Sequence, residues 1–310
     1  MKIVALAGGV GGAKLADGLA RSLSPNELTI VVNTADDFEH LGLRICPDLD
    51  TVCYTLAGMA HHGRGWGIAN ETWNAVAAVR QLGGPAWFHL GDRDLGTHLE
   101  RTRLLTAGWP LSAIVREFCR VWGVAHNVLP MTDDRVATIV HTDEGELEFQ
   151  EYFVHRSCRP QVRAFSFLGI EEAAPAPGVT DALEAADAII ICPSNPWVSI
   201  GPILAVPGIR SRVKARTTVA VSPIVGGRAL KGPAAKMFAE MGFSPSASAV
   251  ARRYQGLAAG FVLDRRDKKL EAEVRALGVR TLVCDTIMHS VQDRRRLARR
   301  LTDFLATDWP

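Results

Sequence analysis

Ile3-Val4-Ala5-Leu6-Ala7 running into Gly8-Gly9-Val10-Gly11-Gly12-Ala13-Lys14 is the stretch that decides the fold. Five apolar residues that break into four glycines predict a buried first strand, a tight turn and a helix start. Glycines there let backbone N–H groups approach a phosphate at the helix N-terminus, where the dipole favours an anion. Neither common nucleotide loop fits. Counted from Gly9 and Gly11, the third small position of a dinucleotide fingerprint falls on Lys14, and Gly12 is followed by Ala13-Lys14-Leu15 rather than by Lys and Ser or Thr. The turn predicts a phosphate site at Gly9, Gly11, Gly12 and Lys14 with no ligand named.

Outward from this turn, apolar runs alternate with helical periodicity. Strands are predicted at Ile3–Ala7, Leu28–Asn33, Trp87–Leu90, Ala188–Cys192, Thr217–Ser222, Phe261–Asp264 and Thr281–Cys284, with amphipathic helices between them. That alternation predicts an α/β chain, with a mainly parallel sheet covered on both faces and ligands at the strand C-termini. Alternation over Arg135–His141 and Leu147–His155, around the turn Asp143–Glu146, predicts an inserted β-hairpin region at about 135–155. The chain reads as one α/β domain over 1–310, with a soft internal boundary near 124–178.

Composition excludes several classes. Among 310 residues, 47% are hydrophobic and 22% charged, which excludes a disordered or fibrous chain. A net charge of +2 gives no reason to expect nucleic acid or an anionic membrane as partner. The N-terminal apolar run reads as a strand, being too short for a signal-peptide core. Prolines interrupt Ala188–Ile209, so no bilayer span is expected. Six cysteines without a Cys-x-x-Cys pair suit reduced packing thiols in a cytoplasmic enzyme.

The candidate chemistry gathers at the strand ends. Asp36 and Asp37 follow the second strand, and Pro47-Asp48-Leu49-Asp50 comes shortly after. An all-oxygen set of Asp36, Asp37 and Asp50 suits Mg²⁺ with phosphate oxygens in its shell. Asp48 reads as a helix N-cap, and Asp50, just inside the helix, as the carboxylate facing the cleft. Gly91-Asp92-Arg93-Asp94 follows the predicted strand that carries His89, with His98 one turn beyond Asp94. Ser194 and Asn195 sit in a proline-fixed loop; Gly226 and Lys231 repeat the pattern of strand, glycine turn and cation. His61-His62 opens a glycine-rich loop whose Trp66 can stack on an aromatic ligand, and Arg294–Arg296 read as the solvated face of the last helix.

Taken in order, LAGGVGGAKL, NTADDFEHLGL, PDLDTVCYTLAG, GWGIANETW, LGDRDLGTHLERT, LPMTDD, FQEYFV, PSNPWVSIGPILAVPGIR, AVSPIVGG and LKGPAAK resemble the 2-phospho-L-lactate transferases of coenzyme F-420 biosynthesis. The resemblance spans the chain from Leu6 to Met288. It implies a doubly wound, Rossmann-like fold, a homodimer and a Mg²⁺-dependent transfer. In that reaction a GDP-linked phospho-three-carbon acid gives its phospho-acid group to the ribityl hydroxyl of the deazaflavin Fo, releasing GMP. Asp50 and His89 align with positions that touch the deazaflavin, and Asp92 and Trp66 are assigned beside them. On this reading Mg²⁺ on Asp37 and Asp50 bridges the diphosphate, the Gly9–Gly12 amides hold its oxygens, and Asp50 orients or deprotonates the hydroxyl. Lys231 or Arg93 balances the leaving phosphate. Two other classes remain: a related nucleotide-sugar-binding regulatory protein, which lacks the full Gly-Asp-Arg-Asp and Phe-Gln-Glu-Tyr set, and an NAD-dependent dehydrogenase, disfavoured by Lys14. The motifs leave the donor's acid open between phospholactate, phosphoenolpyruvate and phosphoglycerate.

Overall fold

The computed structural model describes residues 1–307 and Trp309. β1 (Ile3–Ala7) turns through Gly8 into α1 (Gly9–Ala20) and then β2 (Leu28–Val32). A ribbon of β3 (Phe38–His40) and β4 (Leu43–Ile45) precedes α2 (Pro47–Leu56). Helices α3 (Asn74–Gln81), α4 (Asp92–Thr106) and α5 (Leu111–Val121) lead to β5 (Asn127–Pro130). An antiparallel unit follows, of β6 (Ala137–Thr142), β7 (Gly145–Glu148) and β8 (Val162–Leu168). The second half runs through α6 (Val179–Ala185), β9 (Ala188–Ile191), α7 (Ile200–Ala205), α8 (Ile209–Lys214) and β10 (Thr217–Val221). After it come the short strands β11 (Ile224–Val225) and β12 (Arg228–Ala229), then α9 (Ala234–Glu240), α10 (Ala247–Arg253) and β13 (Gly260–Asp264). The chain closes with α11 (Glu271–Arg275), β14 (Arg280–Cys284) and α12 (Val291–Leu305).

The central sheet has seven parallel strands in the order β14-β13-β10-β9-β1-β2-β5. Every residue of β1 is buried, as a strand covered on both faces requires. Ile3, Ala5 and Ala7 join Leu15, Leu19, Leu297 and Leu301 under α1 and α12, while Val4 and Leu6 join Ile189, Ile191, Ile203 and Phe238 on the other face. The chain leaves β1 towards β2 and β5, then returns to lay β9 on β1's other side. The order therefore reverses between β1 and β9, and the loops after those two strands part there to leave a crevice for a ligand.

Three sequence expectations are corrected. Trp87–Leu90 is irregular: its aromatic side chains pack on the β3–β4 ribbon, Phe88 against Phe38 with ring centroids 4.8 Å apart. The sheet edge is instead β5, which ends at Pro130, a position where an edge strand tolerates proline. The second hairpin arm stops at Glu148, because Glu151–His155 winds into a π-helical turn that buries Tyr152, and β8 supplies the third strand. Arg294 does not join the solvated face of α12, since its guanidinium lies 3.0 Å from the buried Asp17 carboxylate. Among the described residues, no helix is long and apolar enough to cross a membrane.

Candidate active site

The loops after β1, β9, β10 and β14 open on a cavity of about 710 Å³, closed on its far side by α2, α4 and the 61–67 loop. Gly9 takes a left-handed conformation (φ +59°) at the start of α1. Gly11 lets the β9 loop come close, for a Cβ there would lie 2.3 Å from the Pro193 carbonyl oxygen. Ser194 Oγ closes the seam, accepting from Gly8 N–H at 3.0 Å and donating to Gly8 O at 2.8 Å. Gly9, Gly11, Lys14, Ser194 and Asn195 line the cavity; Gly12 faces into the seam between the loops. Asn195 spends its amide locally, accepting from Trp197 N–H and lying 3.2 Å from Met237 Sδ.

One wall is positive. Lys14 Nζ donates to Met288 O at 2.8 Å, and burial together with the nearby Arg294 and Lys231 charges lowers its pKa. Lys231 Nζ reaches the Gly63 and Arg64 carbonyls, at 3.4 and 2.9 Å, and so ties the 61–67 loop over the cavity. Arg64 in that loop stacks on Trp66 and Trp73. Gly226 is not part of this wall. With Gly227 it forms the two positive-φ residues of the β11–β12 hairpin turn, and its N–H donates to the Asp267 carboxylate.

A second wall is acidic, and the structure rearranges its expected members. Pro47 is the first residue of α2, so Asp48 and Asp50 stand two positions apart and point to opposite sides of the helix. Asp48 turns towards α1, accepting from Gly9 N–H at 2.8 Å and Asn33 Nδ2 at 3.0 Å. It does not cap its own helix, whose N-cap is Cys46. Burial raises the Asp48 carboxyl to about 6, against those two hydrogen bonds. Beside it Asp36 is fully buried, with Oδ1 unpartnered; burial and the Asp48 charge hold its pKa well above the ordinary value. Asp37 lies outside the cavity lining, 3.5 Å from Arg44, and burial raises its pKa to about 7 despite that cation. Asp50 turns to α4, where both its oxygens accept from Arg101, itself only 2% exposed.

On α4 the same angular logic separates Asp92 from Asp94. Asp92 points out and caps α3 through the Asn74 and Ala75 N–H groups, at 3.1 and 3.0 Å. Arg93 is exposed and donates to Ala69 O. Neither lines the cavity, although both were expected there. Asp94 and His98 line it instead, with Tyr54 from α2 donating to Asp94 Oδ1 at 2.7 Å. The sequence did carry a signal for this group: Asp94, His98 and Arg101 recur at i, i+4 and i+7, one helical stripe, here buried and polar. His89 and Trp66 line the cavity as expected, at an aromatic end shared with Trp87, Phe88, Phe149 and Phe153.

Two carboxylate groupings bear on a divalent cation, one by convergence and one by charge. Asp50, Asp94 and His98 converge, but the Arg101 guanidinium already neutralises Asp50. Asp36 and Asp48 both line the cavity with elevated pKa values, the Asp48 charge adding to burial in raising Asp36, and Asp36 Oδ1 is an orphaned buried oxygen, which is the electrostatic situation a cation relieves.

Comparison with known proteins adds a family to this geometry. A family model described as 2-phospho-L-lactate transferase CofD matches residues 3–300. A phosphoenolpyruvate transferase from Kitasatospora aureofaciens is 45% identical over 308 residues, covering 96% of each chain. A 2-phospho-L-lactate transferase from Methanosarcina mazei is 39% identical over 296 residues, covering 96% of this chain and 98% of its own. A crystal structure of a UPF0052 family member from Bacillus halodurans superimposes with a TM-score of 0.64 at 17% identity, covering 97% of this chain and 98% of that one. At that identity the likeness concerns the fold alone.

Proposed function

Since the chain belongs to the 2-phospho-L-lactate transferase CofD family, we propose that it moves a phospho-three-carbon-acid group from a GDP-linked donor to the ribityl hydroxyl of the deazaflavin Fo, releasing GMP. The observation that carries the reading is the division of one cavity into three chemistries. A positive wall of Lys14 and Lys231 stands beside the glycine turn, an acidic wall runs from Asp48 against that turn to Asp94 on α4, and an aromatic pocket lies at the end.

Each part has a task in such a transfer. The donor's diphosphate lies against the N-terminus of α1, where the dipole and the Lys14 and Lys231 ammonium groups offset its charge. The planar deazaflavin stacks among Trp66, Trp87, Phe88 and His89, which leaves its ribityl chain directed inward. Asp36 and Asp48 are the residues that would hold Mg²⁺, which when bound supplies charge neutralisation for the phosphate oxygens. Lys231 and the loop it ties exclude water from the reacting phosphate, which matters because water competes with the ribityl hydroxyl. The chain's share of the catalysis is then positioning and electrostatics, as phosphoryl chemistry generally demands.

The test is incubation of the purified protein with Fo, Mg²⁺ and each guanylylated donor (lactyl, enolpyruvyl and glyceryl), followed by mass measurement of the deazaflavin product and GMP. One donor should yield a phosphodiester of Fo with stoichiometric GMP. No product from any of the three overturns the reading.

A further inference from the structure

Four carboxylates line the cavity, and their hydrogen bonds differ in a way that matters for moving a proton. Asp50 has both oxygens on Arg101, and Asp48 has one on Gly9 and one on Asn33. Asp36 lies against Asp48, where any proton it takes is held by that neighbour's charge. Asp94 is different. Its Oδ1 accepts from Tyr54, whereas Oδ2 accepts no hydrogen bond among the described residues and is not sealed in the interior.

His98 looks at first like the better base, but its surroundings exclude it. Its Nδ1 is 3.2 Å from Arg101 Nη1. A guanidinium can only donate, so Nδ1 must be the acceptor and the ring proton sits on Nε2. That nitrogen lies 3.3 Å from Asp94 Oδ1, close but off the hydrogen-bond line. Neutral His98 therefore has no free lone pair for a substrate proton. It packs between Arg101 and Asp94.

We propose that Asp94, held at Oδ1 by the Tyr54 hydroxyl, is the catalytic residue that takes the proton of the attacking hydroxyl on Oδ2. The inference rests on the transfer proposed above. In that step the acceptor oxygen forms a bond to the phosphorus that carries the three-carbon acid, and the bond from that phosphorus to the bridging oxygen breaks. GMP leaves with the electron pair, the hydroxyl proton passes to Asp94, and water later removes it. Burial pushes the Asp94 carboxyl up, but His98, the Tyr54 hydroxyl and Arg101 outweigh it and hold it below the usual carboxylate range, so it is ionised and ready at neutral pH. The groups that face it are His98 and Arg101 on α4, Asp50 and Tyr54 on α2, and Glu71, whose carboxylate accepts the Asp94 N–H at 2.8 Å.

The experiment compares wild type, Asp94→Asn and Tyr54→Phe in the Fo assay across pH, with GDP-induced thermal shift as a binding readout. Asp94→Asn should lose about 10²–10⁴-fold in kcat while its GDP shift stays that of wild type. Tyr54→Phe removes a donor to the carboxylate, so the acid limb of its kcat/KM profile should move to higher pH, which a merely structural tyrosine would not cause. Should Asp94→Asn not fold, the limb shift in Tyr54→Phe decides alone. An Asp94→Asn enzyme within about three-fold of an active wild type overturns the assignment, as does an unmoved acid limb. An inactive wild type overturns the transferase reading itself, and this assignment with it.

Discussion

Replacing Gly11 by alanine tests the seam on which the phosphate turn rests. The added Cβ would lie 2.3 Å from the Pro193 carbonyl oxygen, where ordinary contact begins at 3.4 Å, so the two loops must part by about 1 Å. The obstacle is backbone, so no rotamer change removes it. Overpacking of this kind costs about 1–3 kcal/mol. Alanine also returns up to about 1 kcal/mol of helix propensity, which blurs a single measurement. Gly96→Ala supplies the correction: Gly96 is an exposed α4 residue whose new Cβ would meet nothing within 4 Å. It should be stabilised by about 0.5–1 kcal/mol, so the gap between the two variants, about 1–3 kcal/mol, isolates the steric term. Urea denaturation at 25 °C measures both. A 1 Å displacement beside the reacting phosphate should also cost about 10²-fold in turnover for Gly11→Ala and nothing for Gly96→Ala. If Gly11→Ala matches Gly96→Ala in stability and retains its GDP-induced thermal shift, the close approach of the β1 and β9 loops is wrong.

Two further outcomes follow from the buried charges. Asp48 and Asp37 hold protons up to about 6 and about 7, so between pH 4 and 7 the folded protein binds more protons than the unfolded chain, and stability in chelator falls as pH rises. Each group contributes on the order of 1 kcal/mol per pH unit; Mg²⁺ should raise the Tm at pH 7.5 and hardly at pH 5, and a chelated profile that climbs through this window would refute the assignment. Arg101→Met leaves Asp50 buried and unpaired and should destabilise by about 3–5 kcal/mol in urea; a loss below about 1 kcal/mol would show the pair to be solvated.

The fold was legible where one residue type serves both the local and the global structure. β1 and its glycines read correctly because a strand buried on both faces must be apolar throughout, and only glycine suits the turn beneath it. Trp87–Leu90 misled for the opposite reason. Its apolar side chains are real core residues, but they cover the small β3–β4 ribbon rather than a sheet, and run composition does not distinguish the two burials. β5 escaped notice because Asn127 and Pro130 dilute a run of which only the middle is apolar.

The candidate site shows what local sequence can and cannot assign. That Asp48 and Asp50 face opposite ways follows from their spacing on a helix, but which one meets the glycine turn depends on how α2 is rolled against α1, and that is a tertiary fact. Asp50 is tied to Arg101, 51 residues further along the chain, and nothing near Pro47-Asp48-Leu49-Asp50 announces that partner. Once the guanidinium is in place, the carboxylate in the most prominent motif has both oxygens committed to a cation of the chain itself. On the proposed reading, cation binding then falls to Asp36 and Asp48, where the Asp48 charge adds to burial in raising Asp36, and proton transfer to Asp94, whose Oδ2 accepts no hydrogen bond among the described residues. The Asp48→Asn variant separates these roles: Asn keeps an acceptor for Gly9 N–H but removes one charge of the pair. It should abolish the Mg²⁺-dependent rise in Tm at pH 7.5 without moving the acid limb that reports Asp94. A variant that keeps the full Mg²⁺ response would return the cation to Asp50 and undo the division of labour argued here.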